Sequence, residues 1–264
     1  MINKKIKIAD AELTTYILEN YPEIDSQRKR PTVIICPGGA YRLLSDTEAE
    51  AIAIKMMSLG FHAFVLRYSV KPAVFPKALV ELAKSIQMIR ESADKWPIDP
   101  EKIIVAGFSA GGHLAASLGV FWNTDILKKE LPGESGTWKP NGLLLSYPVI
   151  SSGEFTHIDS IPNLLGKEYE SLKEKMSLEN QITKDTPPTF LWHTVEDQSV
   201  PVENSLLFAK GLRVACVPFE LHVFPNGAHG SSLATSETSV EAKKIDRAAA
   251  NWPDLFQLWV EENF

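Results

Sequence analysis

The sequence predicts an α/β fold in which helices cover both faces of a mostly parallel central sheet. Two observations lead to this prediction. Short, continuously apolar segments, typical of strands buried on both faces, alternate with longer segments whose apolar residues recur at helical spacing. Proline and glycine separate several of these segments, as turns require. The 264 residues suit one domain of this kind, so we expect a single domain over 1–264.

Each element has its own signal along the chain. The segment 11–18 alternates apolar and polar residues, which predicts an antiparallel edge strand. The segment 31–39 holds a β-branched run that ends at Pro-Gly-Gly, and it predicts the first parallel strand. The other predicted strands are 61–69, 101–107, 142–149, 189–194 and 219–224. The predicted helices are 45–60, 76–96, 112–121, 201–212 and 248–264.

The helix over 45–60 carries signals at both ends. Ser45 and Glu48 have the spacing of a capping box, in which each side chain satisfies a free backbone N–H of the first turn. Gly60 is suited to the residue that follows the helix. We therefore expect Ser45 and Glu48 to act locally, as helix caps.

The segment 150–187 departs from the alternation of strands and helices. It is polar, contains Pro162, Pro187 and Pro188, and has only a weak helical signal. It nevertheless keeps spaced apolar residues, such as Leu164 and Leu165. We interpret it as a small lid over the top of the sheet rather than a second domain or a disordered linker.

Composition and charge exclude several classes of function. The net charge is −6 at pH 7, and no basic cluster is interleaved with aromatic residues, so we expect no nucleic-acid partner. No apolar run reaches the roughly 18 residues of a membrane-spanning helix, so we expect no membrane partner. The N-terminus lacks the apolar core of a secretory signal, which favours a cytoplasmic protein. Cys36 and Cys216 lie in or beside apolar runs, and we interpret both as buried free thiols.

The stretch Gly107-Phe108-Ser109-Ala110-Gly111 lies between a predicted strand and a predicted helix. It fits the Gly-x-Ser-x-Gly pattern of a strained turn that exposes a nucleophilic serine. Small residues are needed there because strand and helix approach closely, and the helix directs its free N–H groups at the reaction centre. The pattern predicts Ser109 as the nucleophile, against the alternative of an idle serine in a glycine-rich turn.

A serine hydroxyl needs a base, and an acid and a histidine are expected further along this kind of chain. Asp197 and Glu196 directly follow one predicted strand, and His229 lies in a glycine-bearing loop after the last. We expect His229 to take the Ser109 proton and Asp197 to orient the imidazole, with Glu196 as the alternative acid. The remaining histidines fit less well, His113 being the next candidate: His62, His113, His157, His193 and His222.

Backbone N–H groups are expected to stabilise the oxyanion. Ala110 follows the nucleophile, and the Cys-Pro-Gly-Gly-Ala-Tyr loop offers Gly39 and Ala40, although a plain turn is the alternative there. Residues near strand ends are candidates for the acyl pocket, with simple packing as the alternative: Tyr41, Phe108, Tyr147 and Val200. Leu164 or Leu165 of the lid can add to this pocket. No metal-binding motif is present and the chemistry needs no cofactor, so we expect neither.

Several stretches together resemble a known family. They are residues 37–45, 64–70, 107–116, 187–205 and 224–234. In combination they are similar to small bacterial esterase and lipase-like proteins of the α/β-hydrolase fold, the group labelled acetyl esterase, acetylxylan esterase or endo-xylanase B-like. The resemblance implies a triad at Ser109, Asp197 and His229. In place of the His-Gly-Gly-Gly loop of the lipase-like branch, this chain has Pro37 and Ala40 at the two outer positions.

The resemblance also implies hydrolysis of carboxylic esters with small acyl groups, commonly acetyl on carbohydrate. The expected partner is therefore a small ester, such as an acetylated sugar. An amidase or peptidase of arylformamidase type on the same residues is the first alternative, and a binding protein without catalysis is the second. The apolar C-terminal helix can pack on its own sheet or on a second subunit, so the sequence is compatible with both a monomer and a homo-oligomer.

Overall fold

Eight strands form one sheet in the computed structural model, which describes residues 1–264. Their order across the sheet is β1-β2-β4-β3-β5-β6-β7-β8. The β1–β2 and β2–β4 pairs are antiparallel and all other pairs are parallel. The strands are β1 Lys5–Ile8, β2 Ala11–Tyr16, β3 Arg30–Cys36, β4 His62–Arg67, β5 Ile98–Phe108, β6 Gly142–Ser146, β7 Thr189–Thr194 and β8 Phe219–Phe224. The predicted α/β fold with a mostly parallel sheet is confirmed.

Helices lie on both faces of this sheet. The helices are α1 Glu50–Ser58, α2 Lys77–Glu91, α3 Ala110–Phe121, α4 Asp125–Lys128, α5 Ser160–Leu165, α6 Tyr169–Leu172, α7 Glu203–Val214 and α8 Trp252–Asn263. Apolar residues of α1 and α8 pack on one face, and those of α2, α3 and α7 on the other. Successive side chains of β3 alternate between the two cores, with Ile34 in one and Val33 and Ile35 in the other. This alternation explains why the central parallel strands carry apolar side chains on both faces.

The structure corrects the prediction for the edge of the sheet. The segment predicted as the edge strand forms β2, which is antiparallel as expected but second from the edge. The edge itself is β1, which pairs Ile6 with Leu13 and Ile8 with Ala11. The two lysines of this four-residue strand make its sequence resemble that of a loop, so no strand was predicted there. Charged residues on an edge strand also prevent it from pairing with other chains.

The predicted capping box is wrong. The Ser45 hydroxyl bonds Thr47 Oγ1 at 2.9 Å, a short 3₁₀ turn spans Asp46–Glu48, and α1 begins only at Glu50. The carboxylate of Glu48 is buried and accepts a hydrogen bond from Gly38 N–H at 2.7 Å. A more distant backbone donor thus replaces the local one that the sequence spacing suggested.

The 150–187 segment folds into short helical pieces that include α5 and α6. Leu164 and Leu165 are buried in the core shared with α2 and α3. Two hydrogen bonds attach α5 to the body, Phe75 N–H to Leu164 O and Asn163 Nδ2 to Ala40 O, both at 2.9 Å. The segment is therefore tied to the loop that follows β3.

The two cysteines differ in their exposure. Cys36 is buried, but Cys216 is exposed because it lies in the turn between α7 and β8, so the expectation of two buried thiols is wrong for Cys216. None of the helices combines the length and apolar character that crossing a bilayer would require.

Candidate active site

Ser109 lies at the junction of β5 and α3, with φ 54° and ψ −119°. A non-glycine residue pays a strain cost at such a positive φ and persists there only when its surroundings fix it. The fixing bonds come from β6 and the chain after it: Ser109 N–H donates to Ser146 O, and Ser109 O accepts from Val149 N–H, both at 3.0 Å. The hydroxyl is thereby held at the carboxyl edge of the sheet.

Glycines around Ser109 make this junction possible. A Cβ at Gly107 would collide with the carbonyl oxygen of Gly111, and a Cβ at Gly111 would collide with the carbonyl oxygen of Cys36. A Cβ at Gly112 would lie 2.6 Å from Pro148 Cβ. The steric demand read from the sequence pattern is thus visible in the packing of β3, β5 and α3 against one another.

We expect Gly111→Ala to lower the free energy of unfolding by about 3 kcal/mol, because overpacking against a backbone carbonyl has no flexible neighbour to relieve it. Urea denaturation followed by circular dichroism measures this change. Gly136→Ala is the control, since a Cβ there meets nothing within 4 Å, and its effect should stay below about 1 kcal/mol. Equal stability of the two variants would contradict the steric account.

Ser109, His229 and Asp197 form a continuous hydrogen-bonded chain. Ser109 Oγ lies 2.8 Å from His229 Nε2, and His229 Nδ1 lies 2.6 Å from Asp197 Oδ2. Asp197 follows β7, and His229 belongs to the loop 225–232 after β8, which we call the histidine loop. Three side chains that are widely separated in sequence thus meet above the carboxyl ends of β5, β7 and β8.

The carboxylate of Asp197 is fixed on both oxygens. Its Oδ1 accepts the N–H groups of Ser199 and Val200, each at 2.9 Å. Burial opposes the ionised form, but hydrogen bonds from His193 and His229 outweigh it and hold the pKa of this carboxyl below its usual range. Asp197 is therefore a carboxylate that faces His229 with one defined oxygen.

The alternative acid, Glu196, points elsewhere. Its side chain is exposed, and its Oε2 accepts Gly227 N–H at 3.2 Å. Glu196 thus contacts the backbone of the histidine loop and leaves the His229 ring to Asp197.

Residues 37–41 form a loop directly beside Ser109, which we call the glycine loop. A Cβ on Gly38 would lie 2.8 Å from Ser109 Cβ, which requires glycine at this position. Gly39 and Ala40 have φ values of 128° and 55°. Their N–H groups, and that of Ala110, have no hydrogen-bond acceptor within the chain. Two backbone N–H groups of the glycine loop and the one directly after Ser109 are therefore unpaired beside the nucleophile.

Four residues predicted to line an acyl pocket are instead buried in the core around the site: Tyr41, Phe108, Tyr147 and Val200. The Tyr41 hydroxyl bonds His113, and the Phe108 ring packs edge-on against Tyr147. Val200 supplies a backbone N–H to Asp197. The lid residues Leu164 and Leu165 are buried as well and do not line the cleft. These side chains support the site from behind.

The cleft at Ser109 has a volume of about 360 Å³. Only two residues that line it, Ala40 and Leu43, are hydrophobic. Polar and charged side chains form most of its wall: Arg42, Ser45, Thr47, Glu48, Ser109, His157, Asp159, His229 and Lys244. Larger hollows of about 440 and 590 Å³ lie near Arg90 and near Asn20, away from Ser109. We assign the site by its chemistry rather than by volume.

Sequence reasoning missed the role of two residues in this cleft. The sequence places His157 in the predicted lid, but the residue lines the cleft and its Nδ1 lies 2.9 Å from Ser160 Oγ. Glu48 was interpreted as a helix cap. Burial and the nearby His229 lower the pKa of His157, so its ring favours the neutral form. No local pattern marks either residue, because both reach the cleft through long-range folding.

The other histidines have structural partners. His113 is buried between Tyr41 O–H and Met176 O, and burial lowers its pKa to about 4. His62 hydrogen bonds Pro97 O, and burial lowers its pKa to about 4 as well. His193 bonds Ser205 Oγ and Val200 O, and its Nε2 also lies 3.3 Å from Asp197 Oδ2. His222 bonds Glu220 at the sheet edge. None of these rings reaches Ser109.

The sheet order, the strained serine junction and the loops after β7 and β8 define an α/β hydrolase. More specifically, the chain belongs to the BD-FAE family, whose profile matches residues 18–212. The resemblance found in the sequence is thereby confirmed.

Similar curated proteins include esterases. The chain is 39% identical to endo-1,4-beta-xylanase B of Butyrivibrio fibrisolvens, over 79% of this chain and 34% of that protein. It is 30% identical to an acetylxylan esterase of Xylanibacter ruminicola, over 81% of this chain and 43% of that protein. The chain thus spans about a third to under half the length of these two relatives.

Solved structures agree with the fold over nearly the whole chain. An acetyl ester-xyloside bifunctional hydrolase from Caldicellulosiruptor lactoaceticus has a TM-score of 0.81 and 39% identity, and the match covers 96% of this chain and 88% of that one. The carboxylesterase Cest-2923 from Lactobacillus plantarum has a TM-score of 0.86 and 29% identity, covering 99% and 96%. These relatives support the predicted class of enzyme, a serine carboxylesterase.

Proposed function

We propose that this protein is a serine carboxylesterase that hydrolyses esters of short acyl groups, acetyl foremost, on hydroxylated compounds such as oligosaccharides. The observation that carries the proposal is the hydrogen-bonded chain from Ser109 Oγ through His229 to Asp197, beside three unpaired backbone donors. This arrangement supplies a nucleophile, a base with a fixed tautomer and donors for an oxyanion.

In the acylation step, Ser109 Oγ attacks the ester carbonyl carbon while its proton moves to His229 Nε2. The carbonyl oxygen becomes an oxyanion, which the N–H groups of Gly39, Ala40 and Ala110 stabilise. Asp197 stabilises the imidazolium, which its hydrogen bond at Nδ1 already orients. Collapse of this intermediate breaks the bond to the alcohol oxygen, and His229 returns the proton to that oxygen as the alcohol leaves.

The deacylation step repeats this sequence with water. His229 Nε2 takes a proton from the water, whose oxygen attacks the acyl carbon of the acyl-enzyme. The second oxyanion uses the same donors, and its collapse breaks the bond to Ser109 Oγ. The proton on His229 passes to Oγ, so the carboxylic acid is released and the free enzyme is restored.

The polar wall of the cleft supports a hydroxylated alcohol half. Charged and hydrogen-bonding side chains bind sugars well, whereas a long acyl chain would need an apolar groove. Two similar proteins carry acetylxylan esterase and acetyl ester-xyloside hydrolase in their names. We therefore propose acetylated xylo-oligosaccharides as substrates to test first.

We expect turnover of p-nitrophenyl esters to fall steeply from acetyl to octanoyl, because the cleft offers few apolar contacts beyond Ala40 and Leu43. Initial rates across the series measure this, and acetate release from acetylated xylo-oligosaccharides checks the alcohol half. A rate that increases with chain length would contradict the short-acyl proposal. If no ester were turned over and Ser109 did not react with a fluorophosphonate, the proposed esterase function would be wrong.

We expect His157→Ala to raise KM for acetylated xylo-oligosaccharides about fivefold, because the substrate would lose one hydrogen bond to the neutral imidazole. Nδ1 of His157 accepts the Ser160 N–H and lies 2.9 Å from the Ser160 hydroxyl, which leaves Nε2 to carry the proton of a neutral ring that lines the cleft. KM for p-nitrophenyl acetate should change less. His222→Ala, at the sheet edge, is the matched control. Equal KM values in both variants would remove His157 from substrate binding.

An amidase using the same residues is the alternative, and one similar protein, from Oryza sativa, is named an acylamino-acid-releasing enzyme at 25% identity. Comparing matched p-nitrophenyl acetate and p-nitroacetanilide distinguishes the two. A non-catalytic binding protein would hydrolyse neither, and the hydrogen-bonded chain at Ser109 favours catalysis over that reading.

A further inference from the structure

A buried carboxylate lies at the base of the cleft. Glu48 is 3% exposed and forms no salt bridge. Burial raises the pKa of this carboxyl, while hydrogen bonds from Tyr147 and Gly38 oppose the shift. Burying an acid without a paired cation costs stability. The contacts that its two oxygens make therefore indicate what this acid does for the site.

The two oxygens of Glu48 bind opposite sides of the site. Oε2 accepts the N–H of Gly38 in the glycine loop at 2.7 Å. Oε1 accepts the hydroxyl of Tyr147, also at 2.7 Å. The Tyr147 oxygen in turn accepts the N–H of Ser232 in the histidine loop at 2.9 Å, and its ring packs edge-on against His229 at 5.2 Å between centroids.

A second bond joins the same segments. The Ser232 hydroxyl donates to the carbonyl oxygen of Thr47, the residue before Glu48, at 2.5 Å. Ser232 has a φ of 54°, and Trp252 Nε1 donates to its carbonyl oxygen at 2.9 Å. The chain around Glu48 is thus bonded to both loops that carry the reacting groups.

We propose that Glu48 is a positioning residue that fixes the glycine loop and the histidine loop relative to each other. Oxyanion donors act only within about 2.7–3.1 Å of the developing charge, so a small displacement of the glycine loop weakens them. The same displacement moves these donors away from His229, the base that takes the Ser109 proton during attack on the same carbonyl group. Because these contacts strengthen in the transition state, their loss lowers kcat more than it raises KM. This inference rests on the proposed esterase function.

Steady-state kinetics of Glu48→Ala and Glu48→Gln with p-nitrophenyl acetate test the inference. We expect Glu48→Ala to lower kcat by about 100-fold, at the lower end of what the loss of one oxyanion donor costs, with KM within threefold. Glu48→Gln should restore about a tenth of the wild-type kcat, because its amide oxygen can still accept Gly38 N–H. Tyr147→Phe removes only the link to the histidine loop and should lower kcat by about tenfold.

Glu81→Gln is the matched control. Glu81 is 1% exposed and accepts Ser69 N–H and O–H, but it does not line the cleft. Its kcat should stay within twofold of wild type. Circular dichroism and thermal unfolding establish whether each variant is folded. If Glu48→Ala does not fold, the kcat values of Glu48→Gln and Tyr147→Phe test the positioning role instead.

The rate at which a fluorophosphonate labels Ser109, followed by intact mass, separates the two possible failures. An unreactive wild type would overturn the proposed function and this inference with it. A reactive wild type with equally reactive and equally active Glu48 variants would overturn this inference alone. A raised KM at unchanged kcat would also overturn it, because that result indicates substrate binding rather than positioning.

Discussion

Replacing Ser109 with alanine is expected to lower kcat for p-nitrophenyl acetate by about 10⁴-fold or more, without loss of the fold. The hydroxyl is the atom that forms the acyl-enzyme, and His229 Nε2 has no other hydroxyl partner. The backbone at this position should tolerate alanine as well as serine, since both residues carry a Cβ and the strain at φ 54° is the same for either. Steady-state kinetics and the loss of fluorophosphonate labelling measure the effect.

Ser117→Ala is the control for this experiment. Ser117 is a buried serine on α3, and its nearest hydrogen-bond partner is His113 at 3.5 Å, away from the cleft. Its turnover should stay within a few-fold of wild type. If Ser109→Ala kept wild-type turnover, the nucleophile would have to be sought elsewhere.

Asp197→Asn is expected to lower kcat by about 10³- to 10⁴-fold. Oδ1 of Asp197 accepts two backbone N–H groups, so the amide oxygen of asparagine should take that place and its NH₂ group should face His229. An NH₂ group cannot accept the Nδ1–H proton, and the imidazole would then carry its proton on Nε2, towards Ser109. The base would be lost while the shape of the site is kept.

Glu196→Gln is the matched control, because it makes the same chemical change at the neighbouring position. Its Oε2 contacts only the backbone of the histidine loop, and glutamine keeps an oxygen there, so kcat should change less than fivefold. The opposite result, an active Asp197→Asn and an inactive Glu196→Gln, would reverse the proposed choice of acid. Crystal structures of both variants would show which side chain faces Nδ1.

Much of the frame was predictable because burial on two faces leaves a strong signal. The strands β3 to β7 bury apolar side chains in both cores, so their runs stand out from the helices that cover them. The junction of β5 and α3 at Ser109 was predictable because three backbones come into contact there, and only glycine permits this. Local chemistry and local sterics are the information that a sequence pattern carries most directly.

The sequence did not reveal the direction in which side chains point or the contacts between residues that are distant along the chain. Tyr41, Phe108 and Tyr147 lie near strand ends as expected, but proximity does not say to which side a ring points, and all three point into the core. Glu48 has a local partner by spacing, yet it binds Gly38 and Tyr147, which the fold brings from other elements. His157 reaches the cleft in the same way, through a segment with weak local signals.

The side walls of the cleft and its nucleophile have different origins. Arg42, Thr47, His157, Asp159 and Lys244 come from three stretches of connecting chain, and none of them belongs to a strand or helix of the sheet frame. Ser109 is held by β5, β6 and α3 instead. Exchange of the chain around His157 and Asp159 should therefore change which alcohols are admitted, while the bonds that hold Ser109 stay in place. The nucleophile and this part of the wall can thus vary independently, which makes the proposed esterase a starting point for engineered ester selectivity.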